Sequence, residues 1–461
     1  MRSAQRSSVA ALALATALLL SACGPRFADQ AVPQGQPTAN VTTPGSTTGP
    51  TIGPTPGSTT RTTVIRGSKG SVVTGSVIKV GGLFPKSGGL SALGLPAYQG
   101  AAAFFNWANE KNLVPGKRFQ FITCDDQAVD TQSTTCAKKL IDQDGVFIMG
   151  PSFTPFSNTV IEQVDRAGVP WAGFDGINTE GLTRSNVVTV GSPIEPMAHA
   201  LIDYWYNKLS RQGHAPKRVG AVVLDVAPAR TYMRELQDEI CTKLGCRVVR
   251  QQYVQYTTTQ YETICRNMQN ATVDAIWIIT DPASAIKLMN GCQNIGYPKG
   301  KFLGQHGIYL DLTLAQAGPY SDGLIANSGL LPDTEVTPAT TEMKSIIRRY
   351  FPDASLGYFT ELSFASARMV VDLVAKLVSQ GNELSRTNLL AAASAITNYD
   401  CHGLCKDVAL RPPACKSGGN HTVWIVRADF SSGHGRWVKE AGPFDAFDVQ
   451  TWPNPGKPKP C

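Results

Sequence analysis

The sequence predicts an α/β fold made of two successive parallel-sheet units, and three observations carry this. Short β-rich runs alternate with amphipathic helical stretches from Val77 onward, the alternation resumes after Pro196, and no shorter internal repeat interrupts it. In the first unit Val77 to Leu83 reads as a strand before a helix Pro96 to Asn112. Phe119 to Thr123 precedes a helix Thr131 to Asp144, and Val146 to Met149 precedes a helix Ser157 to Ala167.

The second unit opens with a helix from Pro196 to about Leu209. It continues as strand Val219 to Asp225, helix Arg230 to Leu244, strand Val248 to Val254 and helix Tyr261 to Met268. Ala275 to Thr280, the helix Ala283 to Asn294, Phe302 to Gly304 and Leu324 to Ala326 extend it. A long helix Tyr358 to Ser379, another from Arg386 to Ile396, and a late strand Thr422 to Val426 complete the reading. The length is ample for two cores of ordinary domain size.

What precedes this body is of a different kind. Arg2 and Arg6 are followed by an Ala- and Leu-rich stretch, Val9 to Leu20, too short to span a bilayer comfortably, so residues 1–22 read as an export signal. Small residues then precede a cysteine in Leu20, Ser21, Ala22, Cys23 and Gly24, a pattern that resembles a bacterial lipoprotein signal. That resemblance implies diacylglycerol on the Cys23 sulfur (the palmitate type of modification), cleavage before it, and an extracytoplasmic chain anchored in the cell membrane. Buried acyl methylenes at about 0.8 kcal/mol each make such an anchor firm. An ordinary secretory peptide with an incidental Cys23 is the plainer alternative. Residues 23–76 are rich in Pro, Gly, Thr and Ser, which cannot bury enough apolar surface to offset ordering, and read as a tether.

Eleven cysteines are present, and setting Cys23 aside leaves an even number, as an oxidising compartment favours. Close spacing points to local bridges Cys124 with Cys136, Cys241 with Cys246 and Cys265 with Cys292. Cys401, Cys405, Cys415 and Cys461 are left to pair among themselves, with the partners open. The formal charge of +7 includes the two leader arginines. Basic residues are scattered rather than massed with interleaved aromatics, so nucleic acid is not an expected partner.

Enzymatic signatures are missing: there is no G-x-S-x-G elbow, P-loop, H-E-x-x-H pair or Rossmann glycine fingerprint with its acidic partner. Cys401, His402 and Cys405 match neither a haem nor a zinc pattern, so neither metal nor cofactor is expected and the chain is read as a non-enzyme. Asp125 and Asp126 are adjacent on a strand end and point to opposite faces, which disfavours an acid–base pair. Two strand-to-helix junctions can present backbone donors. One is Gly81 to Gly100 with Ser87, Gly88 and Gly89, and the other is Gly150, Pro151, Ser152, Phe153 and Thr154. A plain βα turn and helix capping explain the same residues equally well.

Several segments in order resemble the leucine/isoleucine/valine-binding group of the type I periplasmic-binding-protein fold. They are VIKVGGLFPKSGGLSALG, DQDGVFIMGPSFTPFSNTVIEQVDRAGVPW, KRVGAVVLD, VDAIWIITDPASAIKLMNGCQNIGY, KFLGQHGI with SDGLIA, and ELSFASARMVVDLVAKLV. The resemblance covers about Val77 to Asp448. It implies two Rossmann-like lobes with a ligand cleft and three hinge crossovers, near Pro193 to Pro196, near Asn327 to Pro332, and between Cys405 and His421. The domains then read as 77–195 with 329–410 for lobe one, 196–328 with 411–450 for lobe two, and 451–461 as a tail.

Carried over by position, the ligand's carboxylate would meet Thr154, beside Ser152 and Phe153, with Ser87 on the first loop. Asp175, Gly176, Ile177 and Asn178 match the second ligand-facing loop. Pro228, Ala229 and Arg230, and then Asp281 and Pro282, match loops of the other lobe, and Tyr358 with Phe359 an aromatic wall. His306, in Gly304, Gln305, His306 and Gly307, stands where the family has the acidic residue that reads an ammonium, which argues against a branched-chain amino acid. The expected partners are a small polar ligand (an amino acid, an amide or a small organic acid), the permease of an ABC-type importer, and the membrane through the lipid anchor. A sensor for a membrane receptor and an envelope scaffold are the alternative roles.

Overall fold

The computed structural model describes residues 71–459 and Cys461, all within the compact unit Val64–Cys461. The leader, Cys23 and nearly all of the tether lie outside the described residues. Among these residues no helix is long and apolar enough to cross a membrane.

The first sheet holds β1 (Val77–Phe84), β2 (Arg118–Asp125), β3 (Ile148–Met149), β4 (Trp171–Ala172) and β5 (Val187–Val188). They lie in the order β2-β1-β3-β4-β5, all parallel. The second sheet begins with β6 (Arg218–Leu224), β7 (Arg247–Val254), β8 (Ala275–Ile279), β9 (Phe302–Leu303) and β10 (Ile325–Ser328). Their order, β7-β6-β8-β9-β10, repeats that of the first sheet, again in parallel. Two late strands, β11 (Thr422–Asp429) and β12 (Arg436–Asp445), then add to β10 antiparallel. The two repeated orders are what make the α/β fold one of two Rossmann-like lobes.

Composition explains which strands are central. Every residue of β8, AIWII, is buried, as a strand covered on both faces requires, whereas β7 and β12 mix charged or polar residues with apolar ones, are only partly buried and lie at edges. In each sheet the order reverses beside the first strand, between β1 and β3 and between β6 and β8. Crevices for ligands form outside the carboxyl ends of strands at such points.

The helix Ser91–Glu110 starts five residues before the expected Pro96 and takes that proline inside. Leu90 already accepts from Leu93 and Gly94 through their backbone N–H groups, so the first turn closes without help from residue 96. This helix lies against the helix Tyr358–Ser379 so closely that a Cβ on Gly100 would stand 2.1 Å from the Thr360 carbonyl oxygen. The later helix is buried along most of its length, with Phe364 edge-on to Phe104 at 5.0 Å. The other face of the first sheet packs Leu83, Met149 and Trp171 against Val160, Ile161 and Val164. Ala414 joins that cluster, so the chain stays with the first sheet a few residues beyond the boundary expected at residue 410.

The three close-spaced cysteine pairs form as expected, and the remaining four pair as Cys401–Cys405 and Cys415–Cys461. The chain passes between the sheets three times: before the helix Ile194–Arg211, after β10, and before β11. Asn420, fully buried, ties these passages together. Its side-chain amide donates to the carbonyls of Val190 and Gly329, both at 2.8 Å, and its Oδ1 accepts from the Thr422 N–H.

Candidate functional site

A cavity of about 90 Å³ lies where the carboxyl ends of the two sheets face each other. From the first sheet's side it is lined by Leu90 and Leu93 after β1, Phe153 and Pro155 after β3, Ile177 after β4, and Phe359. From the other side come Val226, Pro228, Ala229 and Tyr232 after β6, Thr280 and Asp281 after β8, and Gln305, His306 and Gly307 after β9. Ile194, Leu224 and Ile279 close the floor. Apolar side chains dominate, and neither lysine nor arginine lines the space.

Of the residues expected from sequence, Phe153, Ile177, Pro228, Ala229, Asp281, His306 and Phe359 come together on this lining. Phe153 packs at 4.5 Å, its ring tilted by 52°, against Phe359, whose ring lies edge-on to His306 at 5.5 Å. His306 is 6% exposed, and burial holds its imidazole down to about 3, so the ring is neutral. Its Nδ1 has no hydrogen-bond partner. Gln305 fixes this loop by donating to the Thr280 carbonyl (3.0 Å) and accepting from the Gly307 N–H (2.9 Å).

Asp281 caps the helix Pro282–Asn294, with Oδ1 accepting from the Ser284 N–H at 3.1 Å. Its Oδ2 is buried without a partner, and burial raises the carboxyl above its ordinary range. It is the one carboxylate on the lining.

The remaining candidates sit behind the lining or away from it. Asp175 is 2% exposed and accepts from the backbone N–H of Ile177 (3.0 Å) and of Thr154 (3.1 Å). Burial pushes it up to about 7 against the pull of those two donors. Thr154 is therefore engaged within the protein: its N–H goes to Asp175, and its hydroxyl meets Ser133 Oγ at 3.3 Å and accepts from Phe156 N–H. Ser152 Oγ accepts from the Leu83 N–H and donates to the Gly150 carbonyl, which pins β1 to the loop after β3. Asn178 donates to Ser157 and to the Pro155 carbonyl (3.4 Å), and Gly176, at φ 77°, lies under the Ser192 carbonyl. Tyr358 packs behind His306 at 5.2 Å.

Ser87 is exposed and donates to Asp125 Oδ2 at 2.7 Å, which fixes the loop after β1. Two residues on, Gly89 is so near Tyr256, from beyond β7, that a Cβ there would stand 2.6 Å from the ring. The two sides of the cleft thus touch at its mouth. The other apolar lining residues, among them Leu90, Leu93, Pro155, Val226 and Tyr232, were outside the expected set. Their signal in the sequence is the run of Leu, Ile, Val and Pro just beyond strand ends, in loops where Gly and Ser drew the eye. Among the described residues no group of three or more His, Cys, Asp or Glu is placed to hold a metal ion.

Comparison with known proteins agrees with this architecture. A family model described as periplasmic binding protein matches residues 77–434. A curated relative, Leu/Ile/Val-binding protein homolog 7 of Brucella abortus (strain 2308), is 21% identical over 320 residues, covering 67% of this chain and 79% of its own. Among solved structures, a fatty acid ABC transporter substrate-binding protein from Thermomonospora curvata superposes with a TM-score of 0.70 at 16% identity, covering 84% of this chain and 97% of that one. A branched chain amino acid ABC transporter from Thermus thermophilus with bound valine gives 0.69 at 16% identity, covering 81% and 97%. With the family model spanning most of the folded body, and both sheets in the strand order just described, the chain belongs to the periplasmic binding protein family, a class of extracytoplasmic solute-binding proteins rather than of enzymes.

Proposed function

We propose that this protein captures a small molecule between its two lobes and delivers it to the permease of an ABC-type importer, held at the outer face of the cell membrane by lipid on Cys23. One observation carries the reading: the cavity is lined from both sheets at their carboxyl ends, so a ligand there gains contacts only when the two sides close on it. Micromolar capture needs about −8.2 kcal/mol net. The apolar lining and a single buried hydrogen bond suffice for that. Lobe one comprises 77–195 with 329–410 and the short stretch through Ser417, and lobe two the segment 196–328 with the strands after it. Phe153, Ala229, Asp281 and His306 touch the ligand, while Thr154 and Asp175 brace the loop beneath Phe153. The names of two structural relatives, one for fatty acid and one with bound valine, are consistent with a small, partly apolar ligand.

The test is a thermal-shift screen of the oxidised full chain against amino acids, amides, carboxylates, amines and alcohols. Saturable stabilisation by one class, abolished by Ala229→Trp, which fills the cavity, is the expected result. A flat response across the whole panel removes solute capture as the function. For the anchor, mass spectrometry of the membrane-extracted chain should find acyl groups on Cys23, and Cys23→Ser should release the protein from the membrane.

A further inference from the structure

The cleft offers an anion no positive charge, only the unpartnered Tyr232 hydroxyl and His306 Nδ1 as neutral polar groups, whereas it offers a cation a carboxylate. Its lining carries neither lysine nor arginine, and its one imidazole is buried and neutral. The backbone N–H of Thr154, the donor nearest Phe153, is already filled by Asp175 Oδ2 at 3.1 Å. The helix that begins at Pro282 is capped by Asp281 Oδ1. A ligand carboxylate would therefore be stripped of water with no countercharge and few free donors, a cost of several kcal/mol in general.

On the opposite side of the ledger, Asp281 presents an oxygen that is buried and has no partner. A buried carboxyl oxygen without a donor is destabilising until something supplies one. Across the cavity, Phe153 and Phe359 form an aromatic pair, with Tyr232 also on the lining, and aromatic faces attract a desolvated cation. The remaining lining is aliphatic. The space of about 90 Å³ is smaller than the cavity of about 150 Å³ that takes up benzene in an apolar core, so the apolar part must be compact.

Resting on the capture reading above, we infer that the ligand is a small alkylammonium compound without a carboxylate, its N–H groups donated to Asp281 Oδ2 and its short apolar body packed between Phe153, Phe359 and the Val226–Ala229 loop. Asp175 takes the place within the protein that a ligand's carboxylate would otherwise claim.

Four probes that share an isobutyl group test this by isothermal titration calorimetry on the oxidised full chain at neutral pH: 3-methylbutylamine, 3-methylbutan-1-ol, 3-methylbutanoate and leucine. The amine should bind at least tenfold more tightly than each of the others. Asp281→Asn, which keeps an oxygen for the Ser284 N–H and so keeps the helix cap, should weaken the amine at least tenfold. The inference is overturned by leucine or 3-methylbutanoate matching the amine, by the alcohol binding within tenfold of it, or by Asp281→Asn leaving its affinity unchanged. Silence from all four probes overturns it too, and the panel of the preceding section then separates the cases. A ligand found there leaves solute capture standing with its class reassigned, whereas a flat panel removes both.

Discussion

The side-chain amide of Asn420 donates to the carbonyl oxygen of Val190, 2.8 Å away and 230 residues earlier in the chain. Its second N–H reaches Gly329, so one buried residue of the last passage between the lobes holds both of the others. Replacing it by alanine leaves two buried carbonyls and the Thr422 N–H without this partner. At about 1–3 kcal/mol for each unsatisfied group, Asn420→Ala should lose at least about 3 kcal/mol in urea unfolding. An unchanged midpoint would show that the three passages are held by packing alone.

Gly89 and Tyr256 meet at the mouth of the cleft, and the added methyl of Gly89→Ala would stand 2.6 Å from the ring. The variant should keep its melting temperature without ligand, because the clash exists only when the two sides are closed, and should bind about tenfold more weakly. Adding Tyr256→Ala should restore most of the lost affinity. Calorimetry on the single and double variants reads both effects.

His306 is held neutral, down to about 3, by burial. A base whose pKa is depressed on folding binds fewer protons in the native state than in the unfolded one at any pH between the two values. Stability contributed this way is whole above about 6.5 and is lost as the pH falls toward 3. At pH 5 the cost is about 2 kcal/mol, so the drop in stability from pH 7.5 to pH 5 should be smaller by that much in His306→Gln. His199, pushed down to about 4 by burial and by the nearby Lys243 and Lys459, adds a loss of the same sign that this variant leaves in place.

The Cys415–Cys461 bridge closes a loop with a sequence separation of 46 and fastens the tail. On a chain-entropy account such a loop is worth about 4 kcal/mol. Cys415→Ser with Cys461→Ser should lower the denaturation midpoint accordingly, and limited proteolysis should cut the freed tail first.

Much of the fold could be read from periodicity, because the strands that matter most are continuous apolar runs between turn-forming residues, as in Val219 to Leu224 and Ala275 to Ile279. Where the reading fell short, length and composition explain it. β4 and β5 are two residues each, too short to show alternation, and β12 carries Lys439, Glu440, Gly442 and Pro443, which look like loop until β11 supplies a partner. The candidate site was legible in part, at Phe153, Ala229, Asp281 and His306. Hydroxyls and carboxylates at strand ends look like ligand contacts in one dimension, but Ser152 and Asp175 use their groups to hold neighbouring loops. Burial, which no sequence pattern displays, turned Leu90, Pro155 and Val226 from loop residues into the wall of the cavity.

The first sheet is complete by Val188, yet the helix that covers it begins at Tyr358, and the second sheet waits for β11 and β12 near the end of the chain. Neither half is a contiguous stretch, so a chain emerging from its N-terminus can finish neither core until almost all of it has appeared. Contacts this distant along the sequence make for slow assembly. A chain that must cross a membrane before it folds is served by that delay, which the order of its strands supplies.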